Sequence, residues 1–128
     1  MSQSWEQLPH LPRAVPIEAY GKGGFRFADM SHRGSLLCLP TGIWACPIVT
    51  PDQITEDALA LVFEQVSAID HFLIGTGTDM VPIAPALRAK FRQERVVAEA
   101  MATGAAVRTY NILLGERRRV AALLIAVP

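Results

Sequence analysis

The sequence predicts an α/β layered domain, and three observations carry that prediction. From residue 43 onward, apolar segments of strand type alternate with segments of helical period, the order that layered α/β domains produce. Apart from 18 Ala, the apolar residues are mainly 13 Leu, 10 Val and 9 Ile, and branched aliphatics on this scale suit a sheet covered by helices. The 128 residues are 51% hydrophobic with a formal net charge of zero, which excludes a disordered chain and suits one core. The same balance argues against a generally basic nucleic-acid binder. The longest apolar run, Val120 to Val127, is far short of the roughly 20 residues a membrane span needs.

Residues 1 to 16, with Pro9, Pro12 and Pro16, read as an extended arm that Leu8, Leu11 and Val15 pin to the body, leaving 17–128 as the domain. The arm contains no apolar stretch of signal-peptide type, so a cytoplasmic location is the default expectation. Ile17–Tyr20 and Phe25–Phe27 flank Gly21-Lys22-Gly23-Gly24, the pattern of a β-hairpin. Ser31 to Gly34 reads as a second turn. Leu36–Leu39 is a short strand, Pro40-Thr41-Gly42 a turn, and Ile43–Ile48 another strand.

A first helix can open at Thr55, with Glu56 and Asp57 in its first turn, or at Thr50-Pro51-Asp52-Gln53, which fits a capping box. Leu59, Val62, Phe63 and Val66 form its buried stripe at i, i+3, i+4 and i+7. Asp70–Ile74 is an apolar strand ended by Gly75-Thr76-Gly77, and a long loop follows through Ala84. Pro85 opens a second helix that buries Leu87 and Phe91 and leaves Arg88, Lys90, Arg92 and Arg95 solvated. Val96–Met101 is a strand. Thr103 is placed to cap a third helix with Val107, Tyr110 and Leu114 on one stripe and Gly115 at its end. Arg119–Val127, almost wholly apolar, is the last strand and is expected to be central.

Several catalytic signatures are absent: Cys-x-x-Cys, His-Glu-x-x-His, Gly-x-Ser-x-Gly and the P-loop. Gly21-Lys22-Gly23-Gly24 lacks the upstream Gly and the following Ser or Thr of a phosphate loop, and its place between strands makes it a hairpin turn. Gly75-Thr76-Gly77-Thr78-Asp79 is the better candidate, because α/β sheets place ligand crevices at the carboxyl ends of strands. Small residues there let a backbone approach a ligand, or equally a packed neighbour. Met80 stands where a dinucleotide fingerprint needs its third Gly, so no nucleotide cofactor is expected, and no metal site either.

His10 lies in the arm, His71 opens a strand, and His32 lies near Asp29, Ser31 and Ser35. That last cluster lacks any visible oxyanion hole, so it does not read as a triad. Cys38 and Cys46 are the only cysteines. A three-residue hairpin loop, Thr41 to Ile43, would set them opposite each other, but two buried free thiols are expected. Arg117-Arg118-Arg119 reads either as a solvated turn or as an anion or acidic-partner site, with no aromatic platform for nucleic acid.

Met101 to Leu114, with Thr109-Tyr110-Asn111 at its heart, followed by Glu116 to Leu124, together with Gly23–Phe27, Pro40–Trp44 and Leu73–Gly77, resembles the MTH-nine-three-eight-like domain family, a domain of unknown function. The resemblance runs from about residue 15 to 127. It implies a single three-layer α/β/α domain with a central mixed sheet and an added N-terminal β-hairpin. It implies no known reaction; the family includes a mitochondrial assembly factor for respiratory complex I. Two positions depart from its pattern: Ala102 replaces an acid, and Arg117 stands where Gly is frequent, which puts the shape of that turn in question.

The preferred functional expectation is therefore a non-enzymatic interaction or assembly domain with protein partners, such as respiratory-complex subunits. The alternative is a small-molecule-binding protein or enzyme that uses the strand-end crevice. The candidate ligand or partner residues are Gly75, Thr76, Gly77, Asp79, Arg108, Tyr110, Asn111 and Arg118. No nucleophile stands out among them, which counts against group transfer. The zero net charge also conceals an asymmetry: residues 1–87 carry four basic and nine acidic side chains, and residues 88–128 eight and three. An acidic body is thus joined to a basic C-terminal third.

Overall fold

The computed structural model describes residues 9–128; the predicted contact of Leu8 and the rest of residues 1–8 lie outside them. Strands β1 (Ala19–Gly21), β2 (Gly24–Phe27) and β3 (Met30–Arg33) form a small antiparallel sheet. Strands β4 (Ser35–Leu39), β5 (Gly42–Cys46), β6 (His71–Gly75), β7 (Val97–Met101) and β8 (Val120–Leu124) form the main sheet, in the order β5-β4-β8-β6-β7. Helices α1 (Ala60–Glu64), α2 (Pro85–Gln93) and α3 (Thr103–Gly115) complete the fold.

The main sheet is mixed. β6 runs parallel to β7 and β8, whereas β4 runs antiparallel to β5 and β8. The chain passes from β6 through α2 to β7, then back past β6 through α3 to β8. Right-handed crossovers in opposite directions place their helices on opposite faces. One core accordingly packs Leu37, Phe72, Ile74 and Leu123 against Leu59 and Val62 of the α1 region and Leu87 and Phe91 of α2. The other packs Leu36, Leu73, Ala122 and Leu124 against Ala106, Val107 and Tyr110 of α3 and Phe25 and Phe27 of the small sheet. β8 is buried along its whole length between β4 and β6, the central place its unbroken apolar run predicts.

Four expectations need correction. Met30–Arg33, which overlaps the Ser31–Gly34 segment read as a turn, is a strand paired to β2. The turn that precedes it, Ala28-Asp29, has φ of 48° and 62°, so its left-handed geometry is built without the Gly or Asn that would announce it. The added element is thus a three-stranded sheet and not a hairpin alone. The β4–β5 loop has two residues, Pro40 and Thr41, because Leu39 pairs with Gly42. Cys38 therefore faces Ile43, Cys46 faces Ser35, and the two thiols lie in different cores, on opposite sides of the sheet. Finally, the first helix is a single short stretch. Both of its start signals are used, one for a separate 3₁₀ turn at Pro51–Gln53, where Gln53 Oε1 accepts from the Val49 and Thr50 amides, and one at Thr55, whose hydroxyl accepts from Ala58 N.

Candidate functional site

The candidate loop begins where β6 ends at Gly75; Thr76 is turned inward, whereas Thr78 and Asp79 are exposed. Thr76 N donates to Met101 O at 2.9 Å. The Thr76 hydroxyl donates to Asp79 O at 2.7 Å and accepts from Val81 N at 2.9 Å. Thr103, fully buried at the first turn of α3, donates its hydroxyl to Ile125 O at 2.7 Å and accepts from Gly77 N at 2.9 Å. Its own N–H donates to Gly77 O at 2.8 Å, and Ile125 N donates to Gly75 O at 3.0 Å. The Thr103 hydroxyl thus ties the carboxyl ends of β6 and β8 to the start of α3, and the Thr76 hydroxyl closes the loop on itself and on the end of β7. Thr103 is not the helix cap that its position suggests; Ala102 precedes the helix, and the hydroxyl is spent on the loop and on the β8 exit.

The two glycines have different reasons. A Cβ on Gly75 would lie 2.9 Å from Thr103 Cα and 3.2 Å from Ala106 Cβ, so α3 is the neighbour that approaches this backbone. Gly77 has open space within 4 Å and φ of +109°, so conformation demands glycine there. The loop shows solvent Thr78 and Asp79, with Met80 at 56% and Val81 at 39% exposure. Val81 also lines a hollow of about 410 Å³ with Pro51, Ile54, Thr55, Pro82 and Ile83.

The other candidate residues are elsewhere. Tyr110 is fully buried and its hydroxyl donates to Val15 O at 3.2 Å. Asn111 holds Ile17, accepting from its N–H and donating to its carbonyl. Both join α3 to residues 15–17, on the opposite side of the main sheet from the hollow. Arg108 is exposed on α3. Arg118 follows the C-terminal end of α3, roughly 20 Å of helix away from Thr103, and reaches Glu116 at 4.0 Å. The candidate residues therefore occupy separate places: the loop, the joint and the exposed surface of α3 and its C-terminal end.

The cluster around His32 is hydrogen-bonded within the small sheet and to the main sheet. Ser31 Oγ accepts from Arg26, Ser35 Oγ accepts from Ala126 N, and His32 Nε2 donates to Ser35 O. Burial pushes the thiols of Cys38 and Cys46 up to about 12 and raises Tyr110 further above its ordinary value, as removal from water disfavours each anion. Among the described residues no group of three or more His, Cys, Asp or Glu is arranged to hold a metal ion, and no helix is long and apolar enough to cross a membrane. Sequence reasoning missed Thr103 and Ser35 as organising groups. Their only signal is a small hydroxyl inside an otherwise apolar neighbourhood.

Comparison with known proteins gives a consistent family. A family model described as a protein of unknown function (DUF498/DUF598) matches residues 17–125. An uncharacterised protein of Rhodobacter capsulatus is 37% identical over 120 residues, covering 94% of this chain and 91% of its own. The NADH dehydrogenase (ubiquinone) 1 alpha subcomplex assembly factor 3 of Mus musculus is 28% identical over 118 residues, 92% of this chain. The chain spans only 64% of that assembly factor's length. Among solved structures, a protein of Rhodopseudomonas palustris is 52% identical with a TM-score of 0.84, over 100% of this chain and 94% of that one. A protein of Bartonella henselae, described as an outer membrane protein, is 48% identical with a TM-score of 0.88, over 93% and 100%. A Bordetella pertussis protein described as a Mth938-like domain is 26% identical with a TM-score of 0.74, over 98% and 92%.

Proposed function

The chain belongs to the DUF498/DUF598 family of proteins of unknown function, and from that premise we propose that it is a protein-docking domain with an assembly role and not an enzyme. The observation that carries this reading is the loop after β6. Its backbone is tied down through Thr76 and Thr103, and beside the exposed Thr78 and Asp79 it offers solvent the apolar Met80 and Val81, with Val81 lining the Pro51–Thr55 hollow. A hydrogen-bonded loop of this kind presents its apolar side chains with little ordering entropy left to lose on association. A crevice enzyme would instead need converging polar groups with free valences at the strand end.

The relationship to the complex I assembly factor suggests the class of partner, namely subunits of a respiratory complex. Chemical crosslinking of the tagged chain in its native cell, followed by mass spectrometry, tests this. Respiratory-complex subunits are expected to crosslink to the wild type and to be lost from Met80→Glu/Val81→Glu, with the melting temperature retained. Recovery of no such subunit, or equal recovery with the variant, would overturn the reading.

A further inference from the structure

Three cations of the small sheet share one surface, and among the described residues none of them forms an ion pair. Arg26 pairs across the ladder with Ala19 and Ser31, and Arg33 pairs with Gly24. Residues opposite each other share a face, so Arg26 and Arg33 stand on the same side of the sheet, opposite to the side that buries Phe25 and Phe27. They are diagonal neighbours, about 7–8 Å apart at the backbone. Lys22 lies in the turn that joins Gly21 to Gly24, at the Arg33 end of this face.

The sheet positions the two arginines. Arg26 Nη1 donates to Ser31 Oγ at 2.9 Å. The Arg33 side chain crosses Gly23, where a Cβ would lie 3.6 Å from Nη1. Gly21 and Gly24 add no side chains between them. The result is an open pocket of about 550 Å³ whose lining includes Lys22, Arg26, Ser31 and Arg33.

The charge distribution singles this surface out. Residues 1–87 have four basic side chains against nine acidic ones, yet three of the four basic side chains line this pocket. Among the described residues the ion pairs are Lys90–Glu56, Arg118–Glu116 and Arg119–Asp70; none involves Lys22, Arg26 or Arg33. Three cations on one face without an ion-pair partner make a local positive potential that attracts an anion. Guanidinium groups match the oxygens of a phosphate in fork geometry, and Lys adds a point charge.

We propose that this pocket binds a phosphate-bearing anion of up to nucleotide size, with Arg26, Arg33 and Lys22 contacting the phosphate oxygens. The proposal is independent of the docking surface at Met80 and Val81. Inorganic pyrophosphate and ATP, titrated into the ¹⁵N-labelled chain at low salt, are the free-ligand probes; phosphatidylglycerol vesicles, against phosphatidylcholine, probe a lipid headgroup as the source of the phosphate. Saturable shifts confined to residues 20–26 and 31–33, or sedimentation with the anionic vesicles only, are expected. Arg26→Gln/Arg33→Gln is expected to weaken that binding at least about tenfold while leaving the melting temperature unchanged, and Arg117→Gln/Arg118→Gln to leave it intact. No saturable binding of any probe, equal shifts at residues 117–119, or a glutamate-rich peptide binding as tightly as pyrophosphate would overturn it.

Discussion

Asn111 grips Ile17 by both ends of its amide: Oδ1 accepts from the Ile17 N–H at 2.9 Å and Nδ2 donates to the Ile17 carbonyl at 2.8 Å. One side chain thus does what a neighbouring strand would do for this residue, across 94 positions of sequence. Beside it, Tyr110 holds Val15 through its hydroxyl. Asn111→Ala leaves both Ile17 groups without that partner, and two such bonds are worth about 1–3 kcal/mol together. Denaturant unfolding is expected to show a loss of that size, and amide exchange at Ile17 to accelerate more than at the centre of β8.

Helices α2 and α3 both end in the same left-handed motif, with arginine where glycine is the favoured residue. Arg95 has φ of 63° and Arg117 has φ of 62°. Val96 N donates to Phe91 O and Arg118 N to Leu113 O, while Arg95 N and Arg117 N bond to Arg92 O and Leu114 O. These are the paired bonds of a Schellman ending. The departure at Arg117 therefore does not change the turn; the arginine adopts the conformation glycine would. Removing that strain with Arg95→Gly or Arg117→Gly is expected to stabilise by about 0.5–1.5 kcal/mol each, after the entropy glycine adds to the unfolded chain. Thermal melts are expected to rise by a few degrees and to add in the double variant.

Gly75→Ala places a methyl against the backbone of α3, 2.9 Å from Thr103 Cα. A helix packed on a sheet cannot yield cheaply, so a loss of about 1–3 kcal/mol is expected. Gly104→Ala meets only the hydroxyl end of Tyr20, which is 47% exposed. That side chain can turn away, and alanine suits the helix better than glycine by up to about 1 kcal/mol. Chemical denaturation of the two variants is expected to give opposite signs.

Both thiols are silent in the folded chain. Cys38 and Cys46 are buried and their pKa values are pushed up to about 12, chiefly by loss of hydration. Since the thiolate is the reactive form, labelling by iodoacetamide at pH 8 is expected to be slow and to rise with denaturant in step with unfolding. Mass spectrometry of the native chain is expected to find no disulfide between them, because they face different cores.

Arg119 holds Asp70 with two bonds, Nη2 to Oδ1 at 2.7 Å and Nε to Oδ2 at 3.2 Å, and also reaches Ser67 O. Its guanidinium holds the Asp70 carboxyl below the usual carboxylate range. A carboxyl depressed in the folded state stabilises fully above its unfolded pKa, near 4, and loses that contribution as pH falls through the folded value. The effect is small because both side chains are about half exposed and screened by salt. Asp70→Asn is expected to flatten the acid limb of the stability profile below about pH 4 and to leave the slope near neutrality unchanged.

Much of the fold is legible in the sequence because it depends on neighbours along the chain. The period of Leu59, Val62, Phe63 and Val66 marks the core-facing side, with Leu59 and Val62 buried and Phe63 and Val66 partly so, even though the helix there is short. Pro85 opens α2 as its fixed φ predicts. The run Val120–Val127 announces the central strand because only a strand buried on both faces is apolar at every position. The candidate site is less legible. Gly75-Thr76-Gly77 marks a close approach at a strand end, but the sequence does not say whether a ligand or the chain itself makes it.

The amino-acid sequence by itself determined the order of the strands and helices from β4 onward and most of the faces they bury. Tertiary structure alone decided the partners. Thr103 reaches Gly77 and Ile125, Asn111 reaches Ile17, and Arg26 shares a face with Arg33 only because strand register brings them there. Local geometry is a property of consecutive residues, whereas register and crossover set which distant residues meet, and a shift of one residue turns every side chain of a strand to the other face.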